Sequence, residues 1–127
     1  MLGWNGYGQL GDDTTTDRWK PTKIGGHRFT SILAEYFHTC AIDTTKSAWC
    51  WGKNKNGQLG DGTTTNRLEP TDVTGDLQFT SILAGGDRTC AFNKTTKSGW
   101  CWGANGAGQL GDDTTTNYST PKAVVIK

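Results

Sequence analysis

The 127-residue sequence lacks a long apolar run, a block of like charge and any stretch with a helical hydrophobic period. The first absence leaves no segment of the length a membrane-crossing helix needs, so membrane insertion is not expected. Thirteen basic residues stand against twelve acidic ones, for a formal charge of +1. That balance provides neither a basic stripe for a nucleic-acid backbone nor a polybasic patch for an acidic membrane, and no nucleic-acid partner is expected. Histidine is scarce, with only His27 and His38. Neither recurs in a constellation of the kind that acid–base or nucleophilic catalysis requires, so the reading is that the chain is not an enzyme and carries no cofactor. The start, Met1-Leu2-Gly3-Trp4-Asn5, is not a signal peptide, and an export signal would lie outside this segment.

What the chain does contain is glycine (18 residues), tryptophan (6 residues) and repetition. Gly8-Gln9-Leu10-Gly11-Asp12 returns as Gly57–Asp61 and as Gly108–Asp112. Phe29-Thr30-Ser31-Ile32-Leu33-Ala34 returns unchanged as Phe79–Ala84, and Thr39-Cys40-Ala41 as Thr89-Cys90-Ala91. Trp49-Cys50-Trp51-Gly52 returns as Trp100–Gly103. Several blocks in one order, about 50 residues apart, define repeat units over 3–51 and 52–102 and a half unit over 103–127. Each unit reads as four short strands of β-branched, aromatic and cysteine residues divided by turn residues. One strand is expected after each proline (Pro21 to Ile24, Pro70 to Val73, Pro121 to Ile126).

The expected fold is all-β, four-stranded antiparallel sheets arranged as β-propeller blades. A right-handed β-helix is the alternative, although its coils are usually shorter and lack such a hairpin. The array is a partial ring, or a propeller completed by other chains. Met1-Leu2, where other units hold tryptophan, reads as a cut through a repeat.

Cys40 with Cys50, and Cys90 with Cys101, fall at matching places on one hairpin per unit. Pairing position 40 with 50 pairs 42 with 48, turns near Thr45 and sets the sulfurs side by side, which predicts disulfides. The extra residue of the second hairpin falls in the turn Lys94–Lys97. Zinc or redox chemistry is disfavoured, because there is no C-x-x-C spacing and Arg88 stands where His38 precedes the first cysteine. Disulfides place the chain in an oxidising compartment, extracellular or at the cell surface. The Gly-Gln-Leu-Gly-Asp loops read as scaffold, with Leu10, Leu59 and Leu110 as anchors and the threonine runs as turn or strand-edge residues, rather than as calcium loops.

Gly-Gln-Leu-Gly-Asp-Gly-Thr-Thr, then an arginine, a proline, Ala-Gly-Gly, Thr-Cys-Ala and Trp-Cys-Trp-Gly, resembles the regulator-of-chromosome-condensation repeat. It is most similar to the cysteine-containing form of bacterial surface and secreted proteins. The resemblance spans essentially the whole chain. It implies a propeller, commonly of seven blades, acting mainly as a protein-binding platform. One eukaryotic member is a nucleotide-exchange factor for a small GTPase, and a bacterial relative inhibits β-lactamases. Function sits on variable loops in such folds, so the residues that break the repeat are the candidates for binding. Tyr36, Phe37 and His38, with Glu35, replace Gly85-Gly86-Asp87-Arg88, and Trp19 stands opposite Leu68. The expected partner is a protein or another copy of the chain, or flanking blades of a longer chain, with a glycan as an open alternative.

Overall fold

The computed structural model describes residues 1–20, 24, 26–105 and 116–124. Among the described residues eight strands run in order: β1 Phe29–Ala34, β2 His38–Asp43, β3 Ala48–Gly52, β4 Arg67–Asp72, β5 Ser81–Gly85, β6 Arg88–Asn93, β7 Ser98–Gly103 and β8 Tyr118–Ala123. They form two four-stranded antiparallel sheets, β1-β2-β3-β4 and β5-β6-β7-β8. These are two propeller blades.

The blades are out of phase with the repeat units. The first sheet takes β1 to β3 from unit 3–51 and β4 from unit 52–102, and the half unit 103–127 supplies β8 to the second sheet. Residues 1–20 are therefore the counterpart of 50–69. Their isolated bridge Gly3↔Arg18 matches the pairs Gly52↔Arg67 and Gly103↔Tyr118. The outer strands also differ from expectation, since β4 and β8 begin before Pro70 and Pro121 and run through them. Proline is tolerated there because each is an edge strand, with one side free of ladder bonds. The strand expected from Pro21 to Ile24 falls mostly outside the described residues, as do Leu110, Asp112 and residues 125–127.

Both cysteine pairs are disulfide-bonded, and each joins directly opposed residues of its hairpin, Cys40↔Cys50 and Cys90↔Cys101, with Cα atoms 4.1 Å apart. That is the close spacing of a non-hydrogen-bonded antiparallel pair. In the first hairpin Ile42 pairs with Ala48, and in the second the longer turn lies between Asn93 and Ser98.

The loop between β3 and β4 holds itself together and then clamps the next blade. Asn54, fully buried, donates from Nδ2 to the Thr63 and Thr65 carbonyls (2.9 Å each) and accepts at Oδ1 from the Leu59 amide. Asn5 makes the same bonds in the N-terminal segment, to Thr14, Thr16 and Leu10. Asp12 binds Arg18 at 2.7 Å, and Asp61 binds Arg67 at 2.8 Å. Burial alone would raise the Asp12 carboxyl, but hydrogen bonds from Thr14, Arg18 and Asn5 outweigh it and hold it at about 2. Thr14, Thr16, Thr63 and Thr65 of the first two threonine runs are thus bonded to these hubs. Across the blade boundary, Thr89 donates to the Gln58 carbonyl and Thr39 to the Gln9 carbonyl, both at 2.7 Å. Gly11 and Gly60 lie under Trp51 and Trp102 at φ +78° and +71°. A Cβ there would stand 2.6 and 2.7 Å from the indole nitrogens.

The core is the boundary between the sheets. Cys40, Ile42, Ala48 and Cys50 of the first blade pack with Leu59 against Phe79, Ile82, Ala91 and Trp102 of the second. Alternation explains the choice, since residues two apart along a strand share a face.

Candidate functional site

The residues that break the repeat gather at the loop ends of the first blade. The β1–β2 turn contains Tyr36 and Phe37, closed by the Glu35 amide donating to the His38 carbonyl at 3.0 Å. Gln9 pins this turn from the N-terminal segment, its Nε2 donating to the Tyr36 carbonyl at 3.0 Å. The backbone is thereby fixed while the Tyr36 ring stays 84% exposed. The matching turn of the second blade uses Gly86 at φ +58°, whereas Tyr36 and Phe37 keep negative φ.

Phe37 meets Trp4 and Tyr7 in a three-ring cluster. Trp4–Tyr7 centroids are 5.5 Å apart, Trp4–Phe37 5.8 Å and Tyr7–Phe37 5.4 Å, all edge-to-face. Such geometry stabilises aromatic groups beyond the area they bury. Trp4 is half exposed, so the cluster has an open side. The Lys53 ammonium lies over Phe37 at 5.1 Å and Tyr7 at 5.6 Å, within cation–π range, and pairs with Asp87 at 3.4 Å.

These groups occupy equivalent repeat positions. Trp4 and Tyr7 correspond to Lys53 and Asn56, and Phe37 corresponds to Asp87. The slot that holds an aromatic pair in one repeat thus holds an ion pair in the next, and the two sit side by side. The patch presents exposed rings bordered by a paired cation. Among the described residues no three His, Cys, Asp or Glu side chains converge as metal ligands.

Of the residues singled out from sequence, Tyr36 and Phe37 lie in this patch. Trp19 is 88% exposed, and among the described residues no ring pairs with it. His38 differs from the expectation of a surface anchor. Strand alternation turns it inward, where it is fully buried and its Nε2 meets Thr89 Oγ1 at 3.0 Å. Thr89 spends its own proton on the Gln58 carbonyl, so Nε2 is the donor and the ring is the neutral Nε2–H tautomer. Burial pushes its pKa down to about 4, against the opposing pull of the Asp87 charge. His38 therefore links the blades. Trp4, Tyr7 and Lys53 were not among the sequence candidates, because they lie in a glycine-rich loop that reads as scaffold. Their signal was the same as that of Tyr36: each differs from its counterpart in the neighbouring repeat.

The model of the regulator of chromosome condensation (RCC1) repeat matches residues 1–42 and 47–92. Among solved structures, human WBSCR16 superposes with a TM-score of 0.80 at 19% identity, covering 97% of this chain and 33% of its own. Prp20p from Saccharomyces cerevisiae, described with its binding properties to Gsp1p and histones, gives 0.80 at 15% identity, covering 99% of this chain and 34% of its own. Yeast RCC1 (Prp20) with Kap60 bound gives 0.79 at 15% identity, covering 99% and 32%. At these identities the likeness is one of fold, and the chain spans about a third of the length of those structures.

Proposed function

Since the chain belongs to the regulator of chromosome condensation (RCC1) repeat family, we propose that it is a non-enzymatic protein-interaction module of an exported β-propeller protein. The observation that carries this reading is the convergence of Trp4, Tyr7, Tyr36 and Phe37 on one exposed patch. Rigid aromatic anchors on a fixed backbone lose little entropy on docking, and such residues dominate interface energetics. Protein partners are in keeping with the solved relatives: Prp20p with Gsp1p and histones, and yeast RCC1 with Kap60. Two disulfides support an oxidising setting. Trp19, on its own, is a secondary anchor in this reading.

The test is selection of displayed peptides on the whole chain, followed by binding to Trp4→Ala/Tyr36→Ala. Selected peptides are expected to bind the variant at least about tenfold more weakly, the loss of one modest anchor. Equal binding would contradict the assignment of the patch, and competition by free oligosaccharides would point to a glycan ligand instead.

A second reading, self-association, is favoured by a separate observation. Ile32 of the first blade is 48% exposed, whereas its counterpart Ile82 is buried against the neighbouring sheet.

A further inference from the structure

The boundary between the two blades is tied differently at its two ends. At the end away from the aromatic patch the ties use uncharged groups. The Phe79 amide donates to the Lys46 carbonyl at 2.8 Å, and Gln78 Nε2 donates to the Thr45 carbonyl at 3.3 Å. At the patch end the ties run through ionisable side chains. His38 Nε2 meets Thr89 Oγ1 at 3.0 Å, and the Lys53 ammonium meets Asp87 at 3.4 Å. Gln58 Nε2 donates to the same Asp87 oxygen at 3.4 Å.

This end is joined to the patch by short links. His38 directly follows Phe37, so a buried ring and a partly exposed one share a single stretch of backbone. The Phe37 carbonyl accepts from the Lys53 amide at 2.8 Å, and the Lys53 ammonium lies over the Phe37 and Tyr7 rings. A displacement of Asp87 away from Lys53 therefore reaches the patch.

The site suits only a neutral imidazole. Its Nε2 proton is satisfied by Thr89, whereas the buried Nδ1 has no hydrogen-bond partner among the described residues. A second proton would place an unpaired N–H and a charge where water does not reach. Three charged residues face the ring across the boundary and beside it: Asp87 in the β5–β6 turn, Arg88 through its backbone at the start of β6, and Lys53 after β3. The N-terminal segment brings uncharged Gln9 to this corner. Burial, aided by the Lys53 charge, outweighs Asp87 and the Arg88 backbone and keeps the ring neutral. Opening this end to water removes the penalty, so acid favours the open form.

Resting on the protein-interaction reading of the patch, we propose that His38 is an acid-sensitive latch whose protonation opens the patch end of the blade boundary, parts Lys53 from Asp87 and weakens partner binding, while the far end holds as a hinge.

The test measures the affinity of peptides selected on the whole oxidised chain at pH 7, repeated at pH 4.5, for the wild type and His38→Gln. Wild-type affinity is expected to fall at least about threefold and at most about 50-fold, the bound for a ring that takes its proton near 6.5 when exposed and near 4 when buried. His38→Gln is expected to keep the affinity at pH 7, which shows that it is folded, and to lose the acid dependence. In parallel, NMR titration of the wild type is expected to shift the Phe37 and Tyr7 rings with the midpoint of His38, and to leave Phe79 unmoved. Affinity unchanged at pH 4.5, or an equal fall in His38→Gln, would overturn the latch and leave the patch reading in place. A Phe79 ring that shifts together with Phe37 would overturn the hinge, because the whole boundary would then be opening. If no peptide distinguishes the wild type from Trp4→Ala/Tyr36→Ala at pH 7, the patch reading fails, and the ring titration alone decides whether His38 opens this end.

Discussion

The hexapeptide Phe29–Ala34 and its twin Phe79–Ala84 are the same six residues in the same sheet position, with opposite exposure. Ile32 is 48% exposed and Ile82 8%, while Leu33 is half-buried and Leu83 69% exposed. The strand itself cannot account for this, because alternation only assigns side chains to faces. Burial comes from the neighbour: the first blade covers the isoleucine side of the second, and the second covers the leucine side of the first. Stability in a repeat array is therefore held at the boundaries between units. This explains why Thr39 and Thr89, on corresponding strands, both spend their hydroxyls on the preceding loop.

The two disulfides are the largest lever on this comparison. Each closes a loop of similar length, 10 and 11 residues, so chain entropy alone gives about 3 kcal/mol for either. Cys40 and Cys50 are also fully buried at the boundary, whereas Cys90 borders the open groove. In urea unfolding, Cys40→Ala/Cys50→Ala is expected to lose about 1–2 kcal/mol more than Cys90→Ala/Cys101→Ala, the cost of the cavity. Equal losses would mean that the boundary does not enclose the first pair.

Acidification acts on the boundary through His38. The folded chain keeps its ring neutral down to about pH 4, whereas the unfolded chain binds the proton near 6.5. Stability is then flat above pH 6.5 and falls as the pH drops from 6.5 to 4, by about 3 kcal/mol. His38→Gln is expected to remove that slope, and urea midpoints across this range would show it. The Asp12 clasp contributes a separate loss at lower pH, between about 4 and 2, because its folded pKa is depressed from 3.8 to about 2.

Truncation of the twin isoleucines is the direct contrast. Ile82→Ala is expected to cost about 2–3 kcal/mol, and Ile32→Ala under about 1 kcal/mol, in the dilute chain. The smallest effect sharpens the comparison by its symmetry. Arg18→Ala and Arg67→Ala remove half-exposed partners of alike geometry and should each cost about 1 kcal/mol or less, with similar melting shifts.

Much of this was legible in the residues. The repeat, the hairpin register at Cys40↔Cys50 and the anchor role of Leu10 and Leu59 follow from spacing and alternation. The phase of the blades did not, because a repeat unit can be cut anywhere and only strand pairing shows that β4 joins the preceding sheet. His38 was misplaced for a related reason. A residue that departs from the repeat beside two exposed aromatics looks like part of their surface, yet its strand turns it towards a blade that its own repeat does not contain. Trp4 and Tyr7 were hidden inside a loop whose glycines and asparagine are scaffold, and only their distances to Phe37 bring them into the patch.

The central claim, that the isoleucine side of the strand is covered in the second blade and partly open in the first, is tested most directly by hydroxyl-radical footprinting of the dilute chain. Phe29 and Ile32 are expected to be oxidised well ahead of Phe79 and Ile82, because side-chain access differs while the sequence does not. Equal oxidation of the twin hexapeptides at dilution would contradict the account.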